Sequence, residues 1–251
     1  MARWNCGAIG LTAVATTSLA LNGTVMGGLT TVDFSLDDNS IALGNGQIIN
    51  NNDEFFSLFT VTSSGNNAGL VIFDSTTGVN SSDPDLWVNS GNLLTFQQNG
   101  DEGTTGDFFN NPNDTAQGGT VTFNFVNAVE MLSIDFADIN GNGQEVTLTL
   151  TDSFGHVIEY FVPSEWTGDP STDPVPGIET LDLQNLNPQP GFMSSAIVTQ
   201  NTGVDITNIV MLEAAFAGSG GLDNLTFVVP APSGLAVFLG AGLRRRRRRR
   251  G

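Results

Sequence analysis

Between Trp4 and Leu243 the sequence contains no lysine and no arginine. The eight basic residues are Arg3 and the run Arg244 to Arg250, whereas all 26 acidic residues lie between Asp33 and Asp223. Cysteine is represented only by Cys6, and histidine only by His156. Each absence excludes something. Without Lys or Arg the body cannot form a Lys–carboxylate or Arg–carboxylate salt bridge, and it offers phosphates no cationic surface, which excludes nucleic-acid binding. One cysteine excludes an internal disulfide and a thiolate zinc cluster, and a core of this size needs neither. His156 follows the turn DSFG with no nucleophile elbow or other triad signature in the chain, so it is expected as an exposed hairpin residue.

What is present instead is acid, small polar residues and phenylalanine. The net charge of −18 understates the acidity of the body, because the arginines that offset it sit at the ends. The repulsion must be relieved by cations from outside, and Ca²⁺ is the hard, oxygen-seeking ion that is plentiful outside cells. Solubility in a salty medium is the other reading of the same acidity.

Period-two alternation recurs along the body and predicts strands. In TVTFNFV, Val121, Phe123 and Phe125 share one face. In EVTLTLT the inward set is Val146, Leu148 and Leu150. In MLSIDFA, Leu132, Ile134 and Phe136 lie on one side with Asp135 opposite. Further strands are expected over 31–36, 56–62, 70–73, 93–96, 157–162, 197–200, 206–212 and 222–229. Clusters such as NGNG at 140–143, DSFG at 152–155 and GSGG at 218–221 supply the positive φ of tight turns. No amphipathic helix is apparent, and 99–117 and 163–176 read as long loops. The expected fold is all-β, a jelly-roll-type antiparallel β-sandwich with short apolar segments at both termini.

Several residues stand out as candidate ligands. Asp223 shares strand parity with Leu225, Phe227 and Val229, which points it toward the core, where a carboxylate needs amide donors, a proton or a bound Ca²⁺. Asp33 has parity opposite to Val32 and Phe34, which weakens a pairing of the two. Asp74, Asp83 and Asp85 bracket a polar loop and are candidates to gather around one calcium. Asp138 opens DINGNG, the first half of an oxygen-rich calcium loop, but Thr149 stands where the bidentate Glu belongs, so a plain hairpin turn competes with it. Trp87 and Trp166 are candidate platforms for a sugar ring, against the alternative that each indole is packed into the sandwich. Any two of the acids could also pair as in a glycosidase, with nothing to single out such a pair.

The two ends carry a different message. Residues 1–20 combine Arg3, a weakly apolar stretch from Gly7 to Leu19 and the small-x-small site Ser18-Leu19-Ala20, the pattern of a signal peptide. Residues 230–251 combine Pro230-Ala231-Pro232, a short apolar segment and an arginine run beginning Arg244, Arg245, Arg246. The apolar part is short for a permanent span, which needs about 20 residues, and the arginines read as a cytoplasmic stop. This tripartite tail resembles the PEP-CTERM sorting domain, with Ala231 where that family has Glu. The resemblance implies an exosortase-type processing enzyme as partner, only transient contact with a membrane, and delivery to the cell surface, outer membrane or extracellular matrix of a Gram-negative-type bacterium. The strand GLDNLTF before the tail resembles the last strand of PEP-CTERM proteins with galactose-binding-like sandwiches, where structural calcium often lies near the first and last strands. The expectation is a secreted, non-enzymatic protein with an acidic β-sandwich at 21–229, carbohydrate-binding toward exopolysaccharide or cell-surface glycans and stabilised by Ca²⁺. The alternative is a secreted polysaccharide hydrolase using paired carboxylates.

Overall fold

Thr, Val and Phe dominate the alternating runs, and β-branched and aromatic side chains suit a pleated surface with one face buried. A computed structural model of the chain describes residues 27–50, 55, 57–65, 69–76, 83–101, 103–139, 145–164, 166–167, 177–184 and 197–230. Within them the strands are β1 Gly28–Val32, β2 Ile48–Ile49, β3 Phe59–Ser64, β4 Leu70–Asp74, β5 Asn92–Phe96, β6 Thr104–Thr105 and β7 Phe108–Phe109, followed by β8 Gly119–Ala137, β9 Val146–Asp152, β10 Val157–Val162, β11 Ile178–Asp182, β12 Ile197–Asn201, β13 Ile209–Phe216 and β14 Gly221–Val229. Every strand pairing is antiparallel. The chain is an all-β antiparallel sandwich, as its alternation predicts.

β8 organises the sandwich because it belongs to both layers. Its first half pairs with β3 and β13, building a layer ordered β12-β10-β9-β13-β8-β3. Its second half pairs with β11 and β14, building the layer β11-β8-β14-β5-β4-β2, with β1 beside β5 along the same edge of β14. Two predicted strands, TVTFNFV and MLSIDFA, are therefore one. Val121, Phe123, Phe125, Ile134 and Phe136 all enter the core as their alternation requires, but Met131 is buried where Leu132 was expected. The register of β8 against β14 slips between Thr226 and Phe227, opposite Ser133 and Met131, and the extra residue changes the phase.

Between the layers lies a phenylalanine-rich core. Phe59 meets Phe123 edge-on at 5.1 Å, Phe125 meets Phe227 at 5.2 Å, and Phe96 meets Phe216 across the layers at 5.8 Å. Such offset and T-shaped pairs add to the gain from burial alone. β1 stops at Val32 rather than running to Leu36, because Phe34 adopts φ 53 and turns its fully buried ring into this core. The predicted loop over 99–117 contains the β6–β7 hairpin, and β2 and β11 arise from runs too short or too polar to read as strands. Gly118, at φ 64, is one glycine the fold demands: a Cβ there would sit 2.1 Å from the carbonyl oxygen of Phe216.

Residues 1–26 and 231–251, which carry the signal-like segment and most of the sorting-like tail, lie outside the described residues, as does the turn at 140–144. Of the tail, only Pro230 is described; it follows β14 and is exposed.

Candidate functional site

The outer face of the β14 layer should be polar by alternation, yet much of it is buried. The connection from β4 to β5 folds back across it as a strap, described at 75–76 and 83–91. Ser75, fully buried, closes the base: its amide donates to the Gly91 carbonyl, its carbonyl accepts from Asn89, and its hydroxyl oxygen accepts from the Ser90 amide. A single 3-10 turn, Pro84–Leu86, places Leu86 in a second small core with Phe73, Leu93 and Ala137 from the sheet below. Trp87 and Val88 pack on the same cluster. The strap is thus held by apolar packing in the middle and by carboxyl groups at both ends.

At the first end, Asp83 meets Asp114, which lies between β7 and β8. The Asp114 amide donates to Asp83 Oδ2 at 3.2 Å, and the two side chains hydrogen-bond to each other. Asp83 also bonds to Asp85, Asp114 Oδ2 accepts from the Gly220 amide at 2.9 Å, and Asp138 Oδ2 accepts from the Ser219 hydroxyl at 3.0 Å. Burial is the largest influence on both acids of the central pair. It pushes Asp83 up to about 7 and Asp114 up to about 6; hydrogen bonds from Asp85 to Asp83 and from Asp83 to Asp114 oppose the rise, and the charges of Asp114 on Asp83 and of Asp138 and Asp85 on Asp114 add to it. Two carboxyls this close share a proton, since they cannot both ionise without cost.

At the second end lies Asp223, and here the structure corrects the parity argument. Asn224 takes φ 48 and the register against β8 breaks between Asp223 and Thr226. Leu222 and Leu225 both point into the main core, while Asp223 pairs with Asp135 on the opposite face. Asp223 is buried, 1% exposed, but under the strap rather than between the layers. The Ser90 hydroxyl donates to its Oδ2 at 2.5 Å and the Asn224 amide to its Oδ1 at 2.7 Å, while the Asn224 side chain donates to Asp135 Oδ2 at 2.8 Å. Burial raises Asp223 to about 7; Ser90 and Asn224 oppose the rise, and the charges of Asp135 and Asp33 add to it. Asp33, just past the end of β1, is near enough for its charge to act on Asp223.

The remaining predicted ligands separate. Asp74 does not join Asp83 and Asp85: its Oδ1 accepts the Thr76 amide at 2.9 Å, capping its own turn. Asp138 is buried, at φ 55 and 1% exposed, while residues 140–143 of the DINGNG run lie outside the described residues. Trp166 is 1% exposed within the main core, so its ring presents no face to a sugar. Trp87 is half-buried on the small core, and its Nε1 is buried without an acceptor among the described residues. Also among the described residues, no three His, Cys, Asp or Glu side chains converge in the arrangement of a metal site. Asp83 and Asp114 instead meet as a hydrogen-bonded pair anchored by the Asp114 and Gly220 amides. Nor does the Asp83–Asp114 pair fit a glycosidase, whose carboxyls stand about 5–9.5 Å apart across an open cleft.

Two further features were not legible in the sequence. A cleft of about 270 Å³ opens between β2 and β3, lined by Ile48, Ile49, Asn50, Val61, Thr62, Ser63 and Gly69, with no charged group among them. At the β9–β10 turn, the side chain of Asp152 is buried and accepts four hydrogen bonds. Its Oδ1 takes the amides of Phe154 at 2.8 Å and His156 at 2.9 Å; its Oδ2 takes His156 Nδ1 at 3.0 Å and the Asp205 amide at 3.1 Å. Burial alone raises this carboxyl, but the amides of Asp205 and His156, the imidazole and the Phe154 amide overrule it and hold Asp152 at about 2. His156 is an exposed turn residue, as expected, and its aspartate partner serves the turn.

No protein-family model matches the chain, and no curated protein matches it. Among solved structures it is similar to the crystal structure of a carbohydrate-binding module, CBM28, specific for non-crystalline cellulose. That likeness covers 75% of this chain and 95% of that one at 10% identity, with a TM-score of 0.31. A likeness of this size carries no inference about a ligand.

Proposed function

We propose that the chain is an exported, non-enzymatic protein of a bacterial cell surface or exopolysaccharide matrix, with glycans as its ligands. The observation that carries this reading is the partition of charge: every basic residue stands in an end segment, and the sandwich between them keeps 26 acids and neither Lys nor Arg. A signal peptide over 1–20 and a PEP-CTERM-like tail over 230–251, cut by an exosortase-type enzyme, account for both ends at once. Ca²⁺ enters as the counter-ion that replaces shared protons on the acids at neutral pH and bridges acidic protein to acidic polysaccharide.

Mass spectrometry of the protein from its native host tests the processing. The expected mature form begins near Leu21 and lacks the arginine run; a surface form with both ends intact overturns the reading. Glycan binding without turnover is expected, and release of reducing ends abolished by one Asp or Glu substitution would establish the hydrolase instead.

A further inference from the structure

A protein that stacks on sugar rings needs an aromatic face in solvent, and of the described tryptophans Trp166 is buried and Trp87 half-buried, so neither offers a largely exposed one. Phe154 does: it is 73% exposed, the most exposed of the large apolar side chains described. A single exposed apolar residue is ordinary, but this one sits on a turn built with unusual rigidity. Four hydrogen bonds converge on the buried Asp152. The Ser153 amide donates to the Asn208 carbonyl at 3.1 Å, and the Asn208 side chain returns a bond to the Ser153 hydroxyl, tying the turn to the β12–β13 connection. The ring of His156 lies beside that of Phe154, with centroids 6.2 Å apart and planes inclined at 43°.

The chemistry of the surroundings selects the partner. Asp152 Oδ2 meets His156 Nδ1 at 3.0 Å, which leaves Nε2, on the other side of the exposed ring, as a polar atom at the rim. The residues flanking or bonded to the turn, Ser153, Gly155, Asp205 and Asn208, are polar or small, and Phe154 is the one exposed large apolar side chain of the described turn, which suits a polar-rimmed ligand better than an apolar protein or lipid surface. The acidity of the body disfavours direct contact with a polyanion unless Ca²⁺ bridges the two. One aromatic face with a hydrogen-bonding rim matches a neutral pyranose, which has a C–H face and a ring of hydroxyls. The turn is ordered before contact, so little conformational entropy is lost on binding.

We propose that the β9–β10 turn is a glycan contact, in which the Phe154 ring stacks on the C–H face of a neutral pyranose and His156 Nε2 hydrogen-bonds one of its hydroxyls. This rests on the glycan-binding reading and gives it a place that neither tryptophan provides. Affinity electrophoresis of the full chain in gels containing a β-glucan, a xylan or a galactomannan tests it. Wild type is retarded by at least one; Phe154→Ala loses about tenfold or more in affinity, Phe154→Trp keeps it, and His156→Ala loses a few-fold. Phe108→Ala, at the other exposed phenylalanine among the described residues, binds as wild type does. Phe154→Ala melts with wild type, which separates lost contact from lost fold. Retardation of Phe154→Ala equal to wild type overturns the site and leaves glycan binding standing. Wild type retarded by none of the three overturns the site, and wild type retarded neither by these nor by an alginate gel containing Ca²⁺ overturns both.

Discussion

Leu222 and Asp223 are neighbours in one strand, each 1% exposed, and their burial rests on opposite physics. Leu222 faces the interlayer core, where contact with other apolar groups is itself the driving force. Asp223 faces outward beneath the strap, where burial costs energy that a hydroxyl, an amide and a retained proton must offset. The inner face is stable at any pH that leaves the chain folded. The outer face is stable only while its acids keep their protons or find a cation, because the body contains no Lys or Arg to neutralise them. One sheet thus has a face that is indifferent to solution conditions and a face that responds to them.

The largest effect should come from the inner face. Phe123→Ala, which removes the partner of Phe59, should cost about 3–5 kcal/mol in urea denaturation at any pH. A loss much smaller than that at one pH would dissolve the contrast. The outer face should show itself as a pH slope. Asp83, Asp114 and Asp223 are raised above their ordinary 3.8, so the folded state binds more protons than the unfolded chain. Their contribution is complete below 3.8 and is lost as pH rises through about 6 to 7. Asp152 acts in the opposite sense: held at about 2, it contributes above 3.8 and is lost as pH falls to 2. Stability should therefore peak near pH 4 to 5 and fall by on the order of 2–3 kcal/mol by pH 8 in EDTA, the acids being coupled.

Asp223→Asn keeps the shape and removes the ionisation, so it should flatten that slope by about 1 kcal/mol while changing little at pH 5. A slope unchanged by the substitution would place its origin elsewhere. Millimolar Ca²⁺ should recover part of the loss at pH 8 and none at pH 5, read as a shift in melting temperature; an equal shift at both would point to nonspecific screening. The smallest change belongs to Trp87→Phe, which removes a buried N–H that meets no described acceptor. It should alter stability by less than about 1 kcal/mol, toward greater stability.

The layered fold was legible because alternation is local: Val121, Phe123, Ile134, Phe136, Val146, Leu148 and Leu150 all enter the core as their spacing requires. Turn residues marked most of the joints for the same reason. Strand ends were less legible, as β1 shows, because Phe34 leaves the sheet to fill the core. The candidate site was legible in composition only. Asp83, Asp138 and Asp223 stood out as acids, but Asp114 joins Asp83 from 31 residues away, and no local signal announces such a partner. Phe154 went unnoticed because exposure of one aromatic is not written in a turn sequence.

By itself the sequence determined the class of fold, through a two-residue period that each segment carries alone. It also determined that any positive charge within the sandwich, beyond one histidine, comes from outside. Only the tertiary structure decided which face each acid occupies. A bulge at Asn224 advances the chain by one residue and reverses every side chain beyond it, and the strap buries a surface that alternation marks as solvated. Both depend on contacts between distant segments, which a local period does not encode.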